Sequence, residues 1–167
     1  PRRALGVTGI MATHGHWYHI RALRELESLT GAITYAGSAD TEAIRTQENF
    51  TIENELNGGE VFDFYDTELQ VRAISVPGHT PGSIVYSVQT TWEDGSPATL
   101  LFTGDALFPG GVGKTDSPAQ FGELFSNVLE KLFGNFDDEA IVLPGHGRST
   151  TLGTERPHLE EWGSRGW

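Results

Sequence analysis

Apolar positions along the chain come in short bursts, and the spacing inside each burst predicts mixed strands and helices. Residues 7–13 (VTGIMAT) form a short apolar run, which predicts a strand. In HIRALRELESLTG, Ile20, Leu23, Leu26 and Leu29 line one side of a predicted helix, with Gly31 as its stop. AITYAG (32–37) predicts a second strand, and SADTEAIRTQ a short helix capped by Ser38 with Thr41 and Glu42 in its first turn. Residues 49–59 are polar and carry a Gly-Gly turn, so a loop is expected there. Residues 60–64 and 69–76 predict a strand pair joined near Asp66. SIVYSVQT (83–90) and the mostly buried ATLLFTG (98–104) predict two more strands. In PAQFGELFSNVLEKLFG (118–134), Pro118 opens a helix whose core side is Phe121, Leu124, Phe125, Val128, Leu129 and Leu132. AIVLPG (140–145) predicts a last strand, and PHLEEW a terminal helical turn.

Strands and helices alternate without a repeat or linker, and 167 residues suit one domain, so an α/β or α+β layered fold is expected over residues 1–167. The net charge of -12 repels phosphate backbones, which argues against nucleic acid and anionic membranes as partners. A small anionic substrate stays compatible, because a bound metal reverses the local field. There is no cysteine, so any metal must sit on histidine and carboxylate, and a cytoplasmic setting is expected. No apolar run is long enough to span a bilayer.

The polar chemistry gathers where predicted strands end: THGHWYH, PGHTPG, TGDALF and PGHG. Five of the six histidines lie in these loops, namely His14, His16, His19, His79 and His146. Zinc takes imidazole and carboxylate ligands in a tetrahedral set. His14 and His16, one residue apart after a strand, can point at one ion, and His19 at the helix start can point at a neighbouring one. His79 can complete the first set and His146 the second, while Asp105 offers two oxygens and can bridge. Two such ions can hold a hydroxide and polarise a carbonyl or phosphoryl oxygen. His158 reads as a surface or capping residue. GGVGKT (110–115) imitates a phosphate-binding loop, but Phe108 stands where that motif needs glycine. It reads instead as a wall of the metal cleft, with Lys114 placed to meet an anionic substrate group.

Taken in order, THGHWYH, PGHTPGS, FTGDALF and PGHG resemble the metallo-β-lactamase-fold hydrolase superfamily, whose signature is H-x-H-x-D-H followed by single His, Asp and His ligands. The loop LFPGGVGKT and the ending TTLGTERPHLEEWGSRGW are similar to its small, glyoxalase II-like branch of actinobacterial type. The resemblance implies an αββα sandwich with metals at one edge. It implies His14, His16, His79 and Asp105 as ligands of a first site, and His19, His146 and Asp105 as ligands of a second.

The expected activity is a zinc-dependent hydrolase in which metal-bound hydroxide attacks a thioester or related ester carbonyl of a small molecule, with one or two ions; iron or manganese are the other candidate metals. An alternative is a mononuclear iron persulfide dioxygenase using His14, His79 and Asp105. Another is an inactive metal-binding or interaction domain.

The sequence departs from this family in two places. Tyr18 replaces the signature Asp, which would otherwise hold the second ion and orient the nucleophilic water, so weak second-site occupancy and reduced activity are expected; the other readings of Tyr18 are a substitute phenolate ligand and the mark of an inactive relative kept for binding. Only about a dozen residues precede the histidines, where relatives have several strands. The first sheet is therefore expected to lack its N-terminal half and to expose apolar edges near residues 7–11, unless a homo-oligomer or another chain covers them. No glutathione specificity is expected, since the helical segment that serves it in glyoxalase II has no counterpart after PGHG.

Overall fold

Strand alternation sorts the apolar side chains onto two faces, and those faces set the layers. The structure, a computed structural model, describes residues 6–63 and 69–166. Strands β1 (Gly9–Met11), β2 (Ile33–Gly37) and β3 (Asn54–Leu56) form a parallel sheet in the order β1-β2-β3. A larger sheet contains β4 (Val61–Asp63), β5 (Gln70–Ser75), β6 (Ile84–Thr91) and β7 (Pro97–Gly104). A small hairpin follows, β8 (Leu107–Phe108) with β9 (Gly111–Val112). Strands β10 (Ile141–Pro144) and β11 (Thr150–Thr151) then complete the larger sheet, in the order β11-β10-β7-β6-β5-β4. Its strands pair antiparallel except β7 with β10, which run parallel.

The sheets pack face to face through Leu56, Val71, Ala73, Ile84, Tyr86 and Val88, with Met11, Tyr35, Phe62 and Leu100 around them. On the outside of the small sheet lie α1 (Trp17–Ile20), α2 (Leu23–Thr30) and α3 (Thr41–Glu48), which bury Ile20, Leu23 and Ile44 against Ala12 and Ala36. On the outside of the larger sheet lie α4 (Pro118–Val128), α5 (Leu152–Glu155) and α6 (Leu159–Arg165). There Leu124, Val128, Leu132, Leu152 and Trp162 cover Val85, Leu101 and Val142. Each of these large side chains contributes about 1.5–3 kcal/mol by leaving water. The layering is αββα, as expected from the sequence.

Several elements differ from the sequence reading. The helix expected over 19–31 is broken at Arg21 and Ala22 into α1 and α2. Only Ile20 and Leu23 reach the core; Leu26 is 39% and Leu29 77% exposed, because no layer lies against that end of the helix. Ser38 is not a cap: it begins a 3-10 turn (Ser38–Asp40), and its hydroxyl donates to Asn57 Oδ1. The segment 49–59 holds β3 as well as loop, since backbone pairing to β2 overrides its polar composition. The helix over 118–134 passes into a π-helical turn at Leu129–Phe133. Phe64 and Asp66, named in the predicted hairpin, lie outside the described residues, as do residues 1–5.

Among the described residues β1 pairs only with β2 and forms an edge, with Val7 beside it 46% exposed. Phe102 shares its face of β7 with Leu100, toward the small sheet, yet is 41% exposed. Among the described residues the three-stranded sheet leaves it uncovered.

Candidate metal centre

Four strand ends deliver the site. After β1 the loop at Thr13 accepts a hydrogen bond from Ile84 N at 2.8 Å, which fixes where the chain turns into His14 and His16. Helix α1 then carries His19 inward. The loop after β5 brings His79. Parallel pairing sets the ends of β7 and β10 side by side, Gly104 against Pro144, and Gly145 N donates to Gly104 O at 2.8 Å. Asp105 and His146 are therefore neighbours.

The chemistry-bearing atoms converge on Asp105. Its Oδ1 lies 3.3 Å from His19 Nε2. Its Oδ2 lies 3.4 Å from His146 Nε2, 3.7 Å from His79 Nε2 and 4.0 Å from His14 Nε2. Among the described residues, two groups of three donors fall within 4.8 Å of one another: His14, His16 and His79, and His14, His19 and Asp105. His14 belongs to both groups. His146 stands at the rim with its side chain 66% exposed, its ring stacked on Phe108 at 4.9 Å.

Whether this cluster suits a cation can be judged from atoms left without partners. His14 Nε2 and Asp105 Oδ1 are both buried and neither has a hydrogen bond. An unpaired buried polar atom costs on the order of 1–3 kcal/mol, so both call for something between them. Burial, then the neighbouring histidines, lowers the His14 pKa to about 2. Burial and His79 also lower that of His16. Both rings therefore stay neutral near pH 7 and keep a lone pair to give. A Cβ on Gly145 would stand 2.5 Å from His19 Cε1 and 2.9 Å from Asp105 Oδ1, so only glycine lets β10 end this close to the donors. The donor set and its unpaired atoms fit a divalent cation.

Surrounding groups orient the donors. His79 Nδ1 donates to the Lys114 carbonyl oxygen at 2.7 Å, which places the ring proton on Nδ1 and leaves Nε2 bare. His79 Nε2 and His16 Nδ1 are 2.9 Å apart, so a proton or a shared cation belongs between them. His14 Nδ1 lies 3.1 Å from Thr13 Oγ1.

Not every residue singled out in the sequence joins the cluster. Tyr18 points outward and is 76% exposed; its ring meets Trp17 at 5.0 Å and lies under Arg21 at 5.8 Å. The Lys114 side chain is exposed, and what that residue brings to the cluster is its carbonyl. His158 sits on the surface, 3.8 Å from Glu161. The GGVGKT loop belongs to the β8–β9 hairpin and not to a strand-to-helix turn, in keeping with rejection of the phosphate-loop reading.

The family model of the metallo-beta-lactamase superfamily matches residues 2–146, a span that takes in all four loops. The chain belongs to the metallo-beta-lactamase superfamily.

Within the superfamily, the chain is 34% identical to an uncharacterised protein of Mycobacterium tuberculosis, over 95% of this chain and 79% of that one. It is 29% identical to the hydroxyacylglutathione hydrolase GloC of Haemophilus influenzae, over 91% of this chain and 74% of that one. Among solved structures it superposes on ETHE1 from Myxococcus xanthus with a TM-score of 0.69 at 27% identity, covering 93% of this chain and 63% of that one. It also matches TTHA1623 in a di-iron-bound form, with a TM-score of 0.64 at 28% identity, covering 89% and 74%. Metallo-beta-lactamase folds bind divalent metals, and most members of the superfamily are hydrolases.

Proposed function

We propose that the chain is a zinc-dependent hydrolase acting on a thioester or related ester carbonyl of a small molecule. The observation that carries this reading is the convergence of four histidines on Asp105, with His16 joined through His79, around two buried atoms, His14 Nε2 and Asp105 Oδ1, that have no hydrogen bond. The likeness to a hydroxyacylglutathione hydrolase supports the ester class. His14, His16 and His79, with Asp105, would hold a first ion; His19, His146 and Asp105 would hold a second. A bound ion supplies Lewis acidity, lowering the pKa of a coordinated water toward ~7 and polarising the ester carbonyl.

The chain's own groups do the positioning. His79 keeps its proton on Nδ1 against Lys114 O, so Nε2 faces the cluster as an acceptor. His14, buried and neutral, presents Nε2 in the same way, with Nδ1 next to Thr13 Oγ1. The two oxygens of Asp105 reach both halves of the cluster. Lys114 offers an exposed ammonium beside the His79 loop for an anionic part of the substrate. Tyr18, turned to solvent, supplies neither a carboxylate for a second ion nor a base for the attacking water, so slow turnover is expected.

A second reading is a mononuclear iron dioxygenase acting on persulfides, held by His14, His79 and Asp105. The Nε2 atoms of both histidines lie within 4.0 Å of one Asp105 oxygen, and the likeness to ETHE1 is compatible with it.

The test is thiol release from thioesters by protein loaded with zinc, before and after chelation, beside oxygen uptake with persulfide by protein loaded with iron. Zinc-dependent thiol release supports the hydrolase. Oxygen uptake by the iron form alone supports the dioxygenase. Failure of both leaves an inactive metal-binding domain.

A further inference from the structure

The two loops that carry the first-site histidines do not touch through the histidines alone. Asp40, in the 3-10 turn after β2, is 3% exposed and belongs to neither metal group. Its Oδ2 accepts from Gly15 N at 2.7 Å and from Thr80 Oγ1 at 2.7 Å. Its Oδ1 accepts from Gly82 N at 2.8 Å. Gly15 lies between His14 and His16, and Thr80 follows His79. One buried carboxylate therefore ties the residue inside the H-x-H pair to two points of the turn that follows the third histidine, Thr80 and Gly82.

The packing around this carboxylate leaves no slack. A Cβ on Gly82 would stand 2.5 Å from Asp40 N and 2.7 Å from Asp40 Cγ, and one on Gly37 would stand 1.9 Å from Gly82 O. The other side of the Gly15 peptide is fixed as well, since Gln47 Nε2 donates to Gly15 O at 3.0 Å. Because the Thr80 hydroxyl donates to Asp40, the Ser83 hydroxyl must donate to Thr80 Oγ1, at 2.7 Å. Every donor aimed at Asp40 is satisfied only by an acceptor with two free oxygens.

We propose that Asp40 is a positioning residue that sets the separation of the His14–His16 loop from the His79 turn, and through it the geometry of the first metal site. The consequence for metal binding rests on the metallo-hydrolase reading; the placement of the loops does not. Asp40→Asn exchanges one acceptor oxygen for an NH2 group that must face an N–H or O–H donor, at nearly unchanged volume. Thr80→Val removes one of the three donors and leaves the carboxylate in place.

The experiment has two arms, both run on the full chain with Asp138→Asn as a control at the remote Arg156 ion pair. In metal-free protein, Asp40→Asn is expected to speed amide exchange at Gly15 and Gly82 and to shift the ring resonances of His14, His16 and His79. Thr80→Val is expected to do the same to a smaller degree, and Asp138→Asn to do neither. In a Co2+ titration read by absorbance, Asp40→Asn is expected to weaken the tight site about 10–100-fold, the usual cost of losing an outer-shell partner. If Asp40→Asn does not fold, Thr80→Val carries the test alone. Wild-type exchange and ring resonances in a folded variant would overturn the proposal. Wild-type protein that takes up no Co2+ would sink the metallo-hydrolase reading, while the metal-free arm still decides the placement of the loops.

Discussion

His79 donates from Nδ1 to the backbone oxygen of Lys114 at 2.7 Å, so the loop that carries Lys114 fixes a histidine without using its side chain. The two parts of Lys114 are therefore separable. Lys114→Ala is expected to leave zinc affinity unchanged, because the carbonyl stays. If the ammonium meets an anionic substrate group, KM for anionic thioesters rises several-fold while kcat holds, a loss of uniform binding. Steady-state kinetics on a charged and a neutral thioester, with metal content measured in parallel, checks both halves.

Tyr18 lies outside the cluster, and the position it occupies is the one the superfamily signature gives to Asp. Tyr18→Asp is expected to raise occupancy of the second site and to raise thioester turnover by about 100-fold, the lower end of the range for a well-placed acid–base group. Metal analysis and kcat on the same samples test this. If neither rises, Tyr18 is not what limits the site.

The metal-free protein should lose stability on mild acidification. His14 has a pKa of about 2 when folded and about 6.5 in an unfolded chain. Above pH ~6.5 neither state binds the proton, so His14 adds no pH dependence. Below it the unfolded chain takes up a proton that the folded chain refuses, and stability falls toward pH 2 by at most about 1.4 kcal/mol per pH unit from this group. Urea unfolding between pH 4 and 8 should show that slope, and His14→Gln should flatten it. An unchanged slope in the variant would count against a neutral, buried His14.

Exposed apolar residues on both sheets and on α2 predict association. Val7 beside the edge that β1 forms among the described residues, Phe102 on the inner face of β7, and Leu29 on α2 are 46%, 41% and 77% exposed. Such edges and faces recruit a second copy or another chain. Light scattering should give a mass above that of one chain, and a stable monomer across micromolar concentrations would contradict it.

Much of this was legible in the sequence, for identifiable reasons. The β6 and β7 strands and α4 announced themselves because their apolar periods are long and their sheet and helix faces are buried. The four loops were legible because glycine and proline flank each histidine or aspartate, and their order is informative. The break between α1 and α2 was not: Leu26 and Leu29 keep helical spacing although nothing packs on them. Strand β3 was hidden by its polar composition. Asp40 was invisible as a positioning group, since an aspartate near a helix start reads as an ordinary capping residue until its three donors are seen to come from distant loops.

The central claim is that His14, His16, His79 and Asp105 hold one ion well while Tyr18 leaves the second site weak. Zinc titration of metal-free protein, followed by calorimetry with the His79→Ala variant alongside, tests it most directly. The account predicts one tight ion per chain, a second at least tenfold weaker, and loss of the tight ion in His79→Ala. Two ions of equal affinity would contradict the weak second site, and no bound zinc would contradict the account as a whole.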